Sequence, residues 1–588
     1  MTAKFTNDRA TQILIYLLKA NGIRKVVVSP GTTNLTFVAS LQYDSFFELY
    51  SAVDERSAGY IACGMAMESQ EPVVLTCTEA TASRNYFSAM TEAFYRKLPI
   101  LVVTGTHGDE LLGHLHAQSV NRSRTPVDTV KYSISIGKIR DSNEEWSTIT
   151  KVNTALLELK HRGEGVVHIN LQVNISAGFT AEKLKPVRVI KRYNTESELP
   201  NINANRVAIF IGSHKRFNDL EVSLIEKFCE KYNAALFVDH TSGYKGKYAF
   251  FGAIVACQEV NAIKKFEIYN PDLLIHLGEV SGDTYDTGLL KAKEVWRVSE
   301  DGDIKDLFYG LTGVFEMSEK YFFNSYCNFK DTAVPTEYFN SCQNLRNKIN
   351  DNIPELPFGN IWCAQQMREL LPDNSVLYLA ILNTLRSWNF FMIPNSIETS
   401  CNVGGFGIDG TLSTVIGRAI INPSKLFFCV LGDLSFFYDM NALGNRHVGN
   451  NLRILLINNG RGTEFTNYGH PAKQFGDNAI PYIAAEGHFG NKSRDLAKHY
   501  VTDLGFDYIC ASNKAEFLSQ IKDFVRTGDS PKSIVFEIFT NPDDESDAIR
   551  LMRNISPDER SSFEKMKKET VDTSKRILSG IIHNIIEK

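Results

Sequence analysis

The sequence predicts an α/β protein built from parallel, doubly wound sheets in three successive domains. Three observations predict it. Short apolar runs alternate with helical patterns along most of the chain; Gly, Pro, Asn and Asp punctuate them; and 588 residues exceed what one hydrophobic core holds. Hydrophobic residues make up 43% and charged residues 22%, the balance of an ordinary soluble globular protein. A net charge of −5 gives no electrostatic footprint for nucleic acid. No apolar run reaches the roughly 18 residues of a membrane span. The ten cysteines stand singly, with no CxxC pair, which fits a reducing cytoplasm.

In chain order, the N-terminus reads as an amphipathic helix whose Asp8, Arg9 and Lys19 rule out a signal peptide. Strands are expected at 25–31, 47–54, 72–78, 99–105 and 165–173, with helices at 55–67 and 80–96. These make a first domain over 1–185. A polar linker is read at 191–206. Strands at 206–213, 235–240, 271–280 and 293–299, with a helix at 219–232, make a central domain over 200–340. It lacks a GxGxxG fingerprint, so dinucleotide binding is not expected. A polar connector at 325–360 leads to a third domain over 355–550, with strands at 375–381, 425–433, 451–459 and 533–539. The charged tail, 551–588, reads as exposed helix.

The chemistry concentrates at 431–462. One strand stops at Gly432-Asp433, a helix follows, and the next strand ends at Asn458-Asn459-Gly460. Parallel α/β sheets place ligands at such carboxyl edges. Asp433 and the Asn459 amide supply hard oxygens of the kind Mg²⁺ shares with a ligand's phosphates. Gly432 and Ser435 stand where backbone and hydroxyl donors approach a diphosphate. Singly, each pair is an ordinary loop former; the strand–helix–strand spacing is what joins them. In the first domain VDERSAGY (53–60) sets Glu55 at a strand–helix join, where a helix-capping role is the plainer alternative.

This spacing resembles the thiamine diphosphate motif, Gly-Asp followed by Asn-Asn. More closely, the chain resembles the menaquinone-pathway synthase family, the 2-succinyl-5-enolpyruvyl-6-hydroxy-3-cyclohexene-1-carboxylate synthases. SPGTTN (29–34), DERSAGY (54–60), CTEATASRNYFSAMTEA (77–93) and CNVGGFGIDGTLST (401–414) are similar to its motifs, and that family also carries Leu after Gly-Asp, as at Leu434. The resemblance implies pyrimidine-binding, central and diphosphate-binding domains. It implies Glu55 as the acid that activates thiamine diphosphate beside Thr78. It implies Mg²⁺ on Asp433, Asn459 and the Arg461 carbonyl, with Gly432, Leu434 and Ser435 near the diphosphate and Ile408 as an apolar wedge. It also implies a homodimer or homotetramer with sites at the subunit interface. A core residue is the plainer reading of Ile408, and a surface amide that of Gln118.

Departures fall among the substrate-facing positions. The family's Ser-Arg pair is Thr32-Thr33, its NRG arginine is Val403, and a third arginine is Trp388. Its central Lys-Arg pair gives way to SGDTYDTG (281–288), where Asp283 and Asp286 are expected to repel a carboxylate. Gln118, Arg386, Glu464 and Phe465 complete the substrate-facing set, with Arg386 and Arg461 able to replace one or two lost cations. Each lost Arg–carboxylate bond is worth roughly 1.5–3 kcal/mol. The expected activity is decarboxylation of a 2-oxoacid, pyruvate before 2-oxoglutarate, and ligation to a carbonyl or activated alkene such as a keto-sugar of a cell-surface polysaccharide. Trp388 is expected to offer that acceptor a flat apolar face. The family's own reaction, simple decarboxylation, and an inactive cofactor-binding homologue stand as alternatives.

Overall fold

Asp8 starts the first helix, Arg9–Ala20, because its carboxylate accepts the Thr11 N–H that the helix itself leaves unpaired. Ile13, Leu14, Leu17 and Leu18 recur at helical spacing and are fully buried. The computed structural model describes residues 4–122, 125–259, 267–328, 337–488, 492–528 and 531–555. Six strands follow: β1 (Lys25–Val28), β2 (Glu48–Ser51), β3 (Val73–Cys77), β4 (Ile100–Thr106), β5 (Tyr132–Ile136) and β6 (Val167–Gln172). They pair in parallel in the order β2-β1-β3-β4-β6-β5. Val26, Val74 and Leu101 enter one core and Val27, Leu75 and Val102 the other, as the two-residue period of a strand requires. Burial on both faces is why these runs are continuously apolar.

The chain divides into two units, Met1–Glu196 with Gly302–Glu316, and Ser197–Asp301 with Met317–Lys588. After β7 (Lys191–Tyr193) the second unit opens with β8 (Val207–Ile211), β9 (Ala235–Phe237), β10 (Ala249–Phe250), β11 (Leu273–Leu277) and β12 (Glu294–Ser299). These run parallel in the order β10-β9-β8-β11-β12. Next, β13 (Leu311–Glu316) belongs to the first unit and pairs in parallel with β7. The second unit then adds β14 (Val376–Leu379), β15 (Glu398–Cys401), β16 (Phe427–Gly432), β17 (Leu452–Asn458), β18 (Asp507–Ala511) and β19 (Ile534–Phe539). Their order, β15-β14-β16-β17-β19-β18, repeats that of the first sheet strand for strand. The fold is therefore α/β with three parallel sheets, as expected.

Several local readings need correction. The segment read as a linker from residue 191 begins with β7. The connector at 325–360 contains the helix Tyr338–Asp351, which buries Tyr338, Cys342 and Ile349. The helix expected over 80–96 breaks at Tyr86 into Thr81–Asn85 and Phe87–Tyr95. The last described helix is Pro542–Met552, and the tail reading beyond 555 falls outside the described residues. Among the described residues no helix is long and apolar enough to cross a membrane.

One close approach depends on a missing side chain. A Cβ at Gly105 would lie 2.2 Å from the Thr33 carbonyl oxygen, a backbone atom with little room to move. Gly105→Ala should therefore cost about 1–3 kcal/mol of stability, the usual range for overpacking. Chemical denaturation should show a lower midpoint at unchanged slope, and an unchanged midpoint would refute the constraint.

Candidate cofactor site

The register that pairs Gly432 with Ile457 brings the ends of β16 and β17 level, so Asp433 and Asn459 leave the sheet side by side. Asp433 is only 2% exposed. Its Oδ2 accepts the Gly460 N–H at 2.7 Å and faces His488 Nε2 at 3.0 Å, while Oδ1 accepts the Leu434 N–H at 2.9 Å. Gly460 turns the chain back at φ +80°, a conformation that glycine takes without strain. Asn459 is held loosely: its oxygen accepts the Arg461 N–H and its nitrogen donates to Thr463 Oγ1, both at 3.4 Å.

These residues fit a diphosphate-bound cation. The donors are one carboxylate, one weakly engaged amide oxygen and a backbone carbonyl, the hard-oxygen set of Mg²⁺ that keeps phosphate oxygens as further ligands. Gly432 opens toward free space, for a Cβ there would meet nothing nearer than Ile457 O at 4.0 Å. The Arg461 Nε is buried without a partner among the described residues. The Ser435 hydroxyl, in a residue 4% exposed, donates to the Ile408 carbonyl at 2.7 Å. It thereby ties the loop bearing Ile408 to the start of the helix after β16.

In the first unit Glu55 occupies the first turn of the helix Glu55–Ser69, half-buried, and its Oε2 accepts from Asn85 at 3.3 Å. Asp54, not Glu55, caps the helix by accepting the Ser57 N–H. Past the end of β3, Thr78 and Thr33 share a hydroxyl contact of 2.7 Å. A Cβ on Gly31 would meet Thr78 Cβ at 2.4 Å, so SPG packs directly on this turn. Glu79 is 1% exposed; its carboxylate accepts from Thr106 Oγ1 at 3.0 Å and meets His107 at 3.3 Å and Arg122 at 3.5 Å. The Arg122 Nε and Nη1 are buried with no acceptor among the described residues.

A family profile described as "Thiamine pyrophosphate enzyme, N-terminal TPP binding domain" matches residues 8–124. The chain is similar to the 2-succinyl-5-enolpyruvyl-6-hydroxy-3-cyclohexene-1-carboxylate synthases of Bacteroides fragilis and Bacteroides thetaiotaomicron, at 33% identity over 90% of this chain and 95% of theirs. It belongs to that synthase family. The synthase of Flavobacterium johnsoniae is 26% identical over 92% of this chain and 97% of its own. With the thiamine pyrophosphate domain in its first unit, the protein is a thiamine diphosphate-dependent enzyme.

Against the synthase pattern, the altered positions lie as follows. Thr33 and Trp388 are wholly buried and Val403 is 4% exposed. Trp388 therefore presents no open apolar face, contrary to expectation. His240, whose buried ring is pulled down to about 3, lies between the Trp388 and Phe391 carbonyls and holds that segment in the core. Arg386 is engaged by Glu464, with which it lines a cavity of about 200 Å³ together with Asn383 and Asn467. Thr463 lies 3.0 Å from Asn383 and also receives the Asn459 amide, linking this cavity to the turn after β17. Thr32 and Gln118 are exposed, and Phe465 stands edge-on to His470.

Asp283 and Asp286 need the clearest correction. Asp283 caps a helix by accepting the Tyr285 and Asp286 N–H groups, and Asp286 accepts the Tyr269 hydroxyl at 2.8 Å. Both are buried, and burial raises both carboxyls, Asp286 far above its ordinary range with the neighbouring Asp283 charge adding to it. Burial thus favours the protonated form of Asp286, and the hydrogen-bonded pair is a structural clasp rather than two repelling charges. Sequence reasoning missed His488, His107 and Arg122, which reach their carboxylates from 55, 28 and 43 residues away without any local signature.

A carboxyl whose folded pKa is raised contributes stability that is lost as pH climbs from the unfolded value, about 3.9, toward the folded one. Asp286→Asn keeps the neutral hydrogen bonds and removes that loss. Between pH 5 and 8 the melting temperature of the variant should rise relative to wild type; a difference independent of pH would show Asp286 ionised in the fold.

Proposed function

We propose that the protein binds thiamine diphosphate through Mg²⁺ on Asp433, Asn459 and the Arg461 carbonyl, decarboxylates a 2-oxoacid and joins the acyl fragment to an acceptor. The observation that carries this reading is the paired strand end, a buried carboxylate beside a loosely held amide oxygen at the carboxyl edge of a parallel sheet. Bound thiamine diphosphate supplies the electron sink that lets a 2-oxoacid lose CO₂. Glu55 provides the carboxyl group that exchanges a proton through its Oε atoms, with Asn85 fixing its direction. Ile408 provides the apolar support, held by the Ser435 hydroxyl on its carbonyl.

The substrate pair differs, in this reading, from the one in the relatives' name. Thr33, Val403 and Trp388 are neutral and buried where the family resemblance implies arginines. Arg386 already has Glu464 as its counter-ion and the buried Arg122 has Glu79, so neither stands free for a second substrate carboxylate. That supports a monocarboxylic donor such as pyruvate and an acceptor with few carboxylates. The second reading is the relatives' own reaction, favoured by 33% identity across 90% of the chain.

Glu55→Gln should retain thiamine diphosphate affinity within about threefold, while kcat falls about 10²–10⁴-fold, the scale of a lost acid–base group. Turnover near wild type would remove Glu55 from the chemistry. CO₂ release from pyruvate should exceed that from 2-oxoglutarate in the presence of thiamine diphosphate and Mg²⁺. A kcat/KM at or above about 10⁴ M⁻¹s⁻¹ for 2-oxoglutarate with isochorismate, within the ordinary enzyme range, would restore the second reading.

A further inference from the structure

Away from the cofactor turn, the second unit contains a cavity of about 260 Å³ with four cations on its walls and one carboxylate. Lys215, Arg216 and Lys245 come from the loops after β8 and β9, Arg418 from the helix Thr411–Ile421, and Glu398 from β15. Glu398 is engaged by Arg418, whose guanidinium also lies over the Tyr378 ring at 5.9 Å. The single acid thus neutralises one of the four cations.

The wall is built rather than incidental. The His214 N–H donates to the Thr241 carbonyl at 3.0 Å and the Phe217 N–H to the Gly243 carbonyl at 3.2 Å, cross-linking the two loops. Gly243 sits at φ +66°, and a Cβ on it would meet the Lys215 carbonyl oxygen at 2.3 Å. No other residue lets the loops close to this spacing without strain. Lys245 is half-buried, and its ammonium donates to the Thr399 hydroxyl at 3.3 Å. Burial, reinforced by the Arg216 charge, pulls it down to about 8. A desolvated ammonium facing further cations is costly unless an anion joins them.

We propose that this cavity is a binding site for a small polyanion, a phosphorylated or polycarboxylate metabolite, separate from the cofactor turn. Its volume corresponds to about nine waters at roughly 30 Å³ each, which suits a diphosphate or a tricarboxylate and not a nucleotide. Arg216 and Lys215, exposed at the rim, draw the ligand in; Lys245 and Thr399 receive it at the base. Asn402 next to β15 braces the wall residue Tyr378 and also bonds the Gly410 carbonyl and Thr414 of the segment following Ile408.

The test is calorimetric titration of the full chain, saturated with thiamine diphosphate and Mg²⁺, with citrate in one arm and inorganic pyrophosphate in the other. Mg²⁺ and thiamine diphosphate are held in excess over each titrant, and the heat of titrant into the same protein-free buffer is subtracted. Neither chelation nor binding at the cofactor site then counts as the new site, and the outcome does not depend on which reaction the enzyme performs. One saturable site is expected in at least one arm, and the stronger arm tells polycarboxylate from phosphate. Lys245→Met and Arg216→Ala should each weaken it at least fivefold, while Lys291→Ala, outside the cavity, leaves it unchanged. Arg216 is exposed, so its variant remains informative if Lys245→Met proves unstable. Absence of saturable binding in either arm, or variants within fivefold of wild type, would overturn the proposal.

Discussion

The Asp433 carboxylate is the constraint around which the cofactor edge is arranged. A buried carboxylate costs several kcal/mol unless its lone pairs are met. Here two backbone N–H groups and one imidazole meet them, and each ties down a different piece of chain. The Leu434 bond sets the start of the helix after β16. The Gly460 bond fixes the turn after β17, and with it the place of Asn459. The His488 contact reaches to a segment 55 residues away. Because the carboxylate accepts from all three, the two strand ends hold their spacing.

The third sheet repeats the strand order of the first, and the two sheets differ in how they balance the acid at the matching strand end. Just past the third strand of each ladder sits a buried acid, Glu79 after β3 and Asp433 after β16, and each faces a histidine. Glu79 also has Arg122, a permanent cation held 4% exposed. Its charge is already balanced inside the protein. Asp433 instead faces two backbone N–H groups and an imidazole, with no arginine among its hydrogen-bond and ion-pair partners in the described residues, so the same topology balances the two acids differently.

Much of this was legible before any coordinates, and the reason is physical. Strands buried on both faces must be apolar throughout, so β3, β4, β16 and β17 stand out in the sequence. Gly-Asp and Asn-Asn-Gly were readable because strand ends of a parallel sheet recur at the length of a crossover helix. Peripheral strands were not readable: β15 is mostly polar, β18 is only partly buried, and β7 is three residues long. The Tyr338–Asp351 helix was hidden by its many asparagines and polar side chains, with burial confined to three positions. Trp388 and the Asp283–Asp286 clasp misled for another reason. Residue type says what a side chain is able to do, but its partners, His240 and Tyr269, lie far off in sequence and decide what it does.

The first unit is discontinuous, and that has a consequence for the order of events at the ribosome. β7 pairs with β13, which is translated about 120 residues later, or about 6–24 s at about 5–20 residues per second. Throughout that interval the six-stranded sheet has all of its own strands while β7 waits with its ladder partner unmade. Slow codons between positions 197 and 301 would lengthen the wait, and fast ones shorten the time for which a bare strand edge is open to other nascent chains.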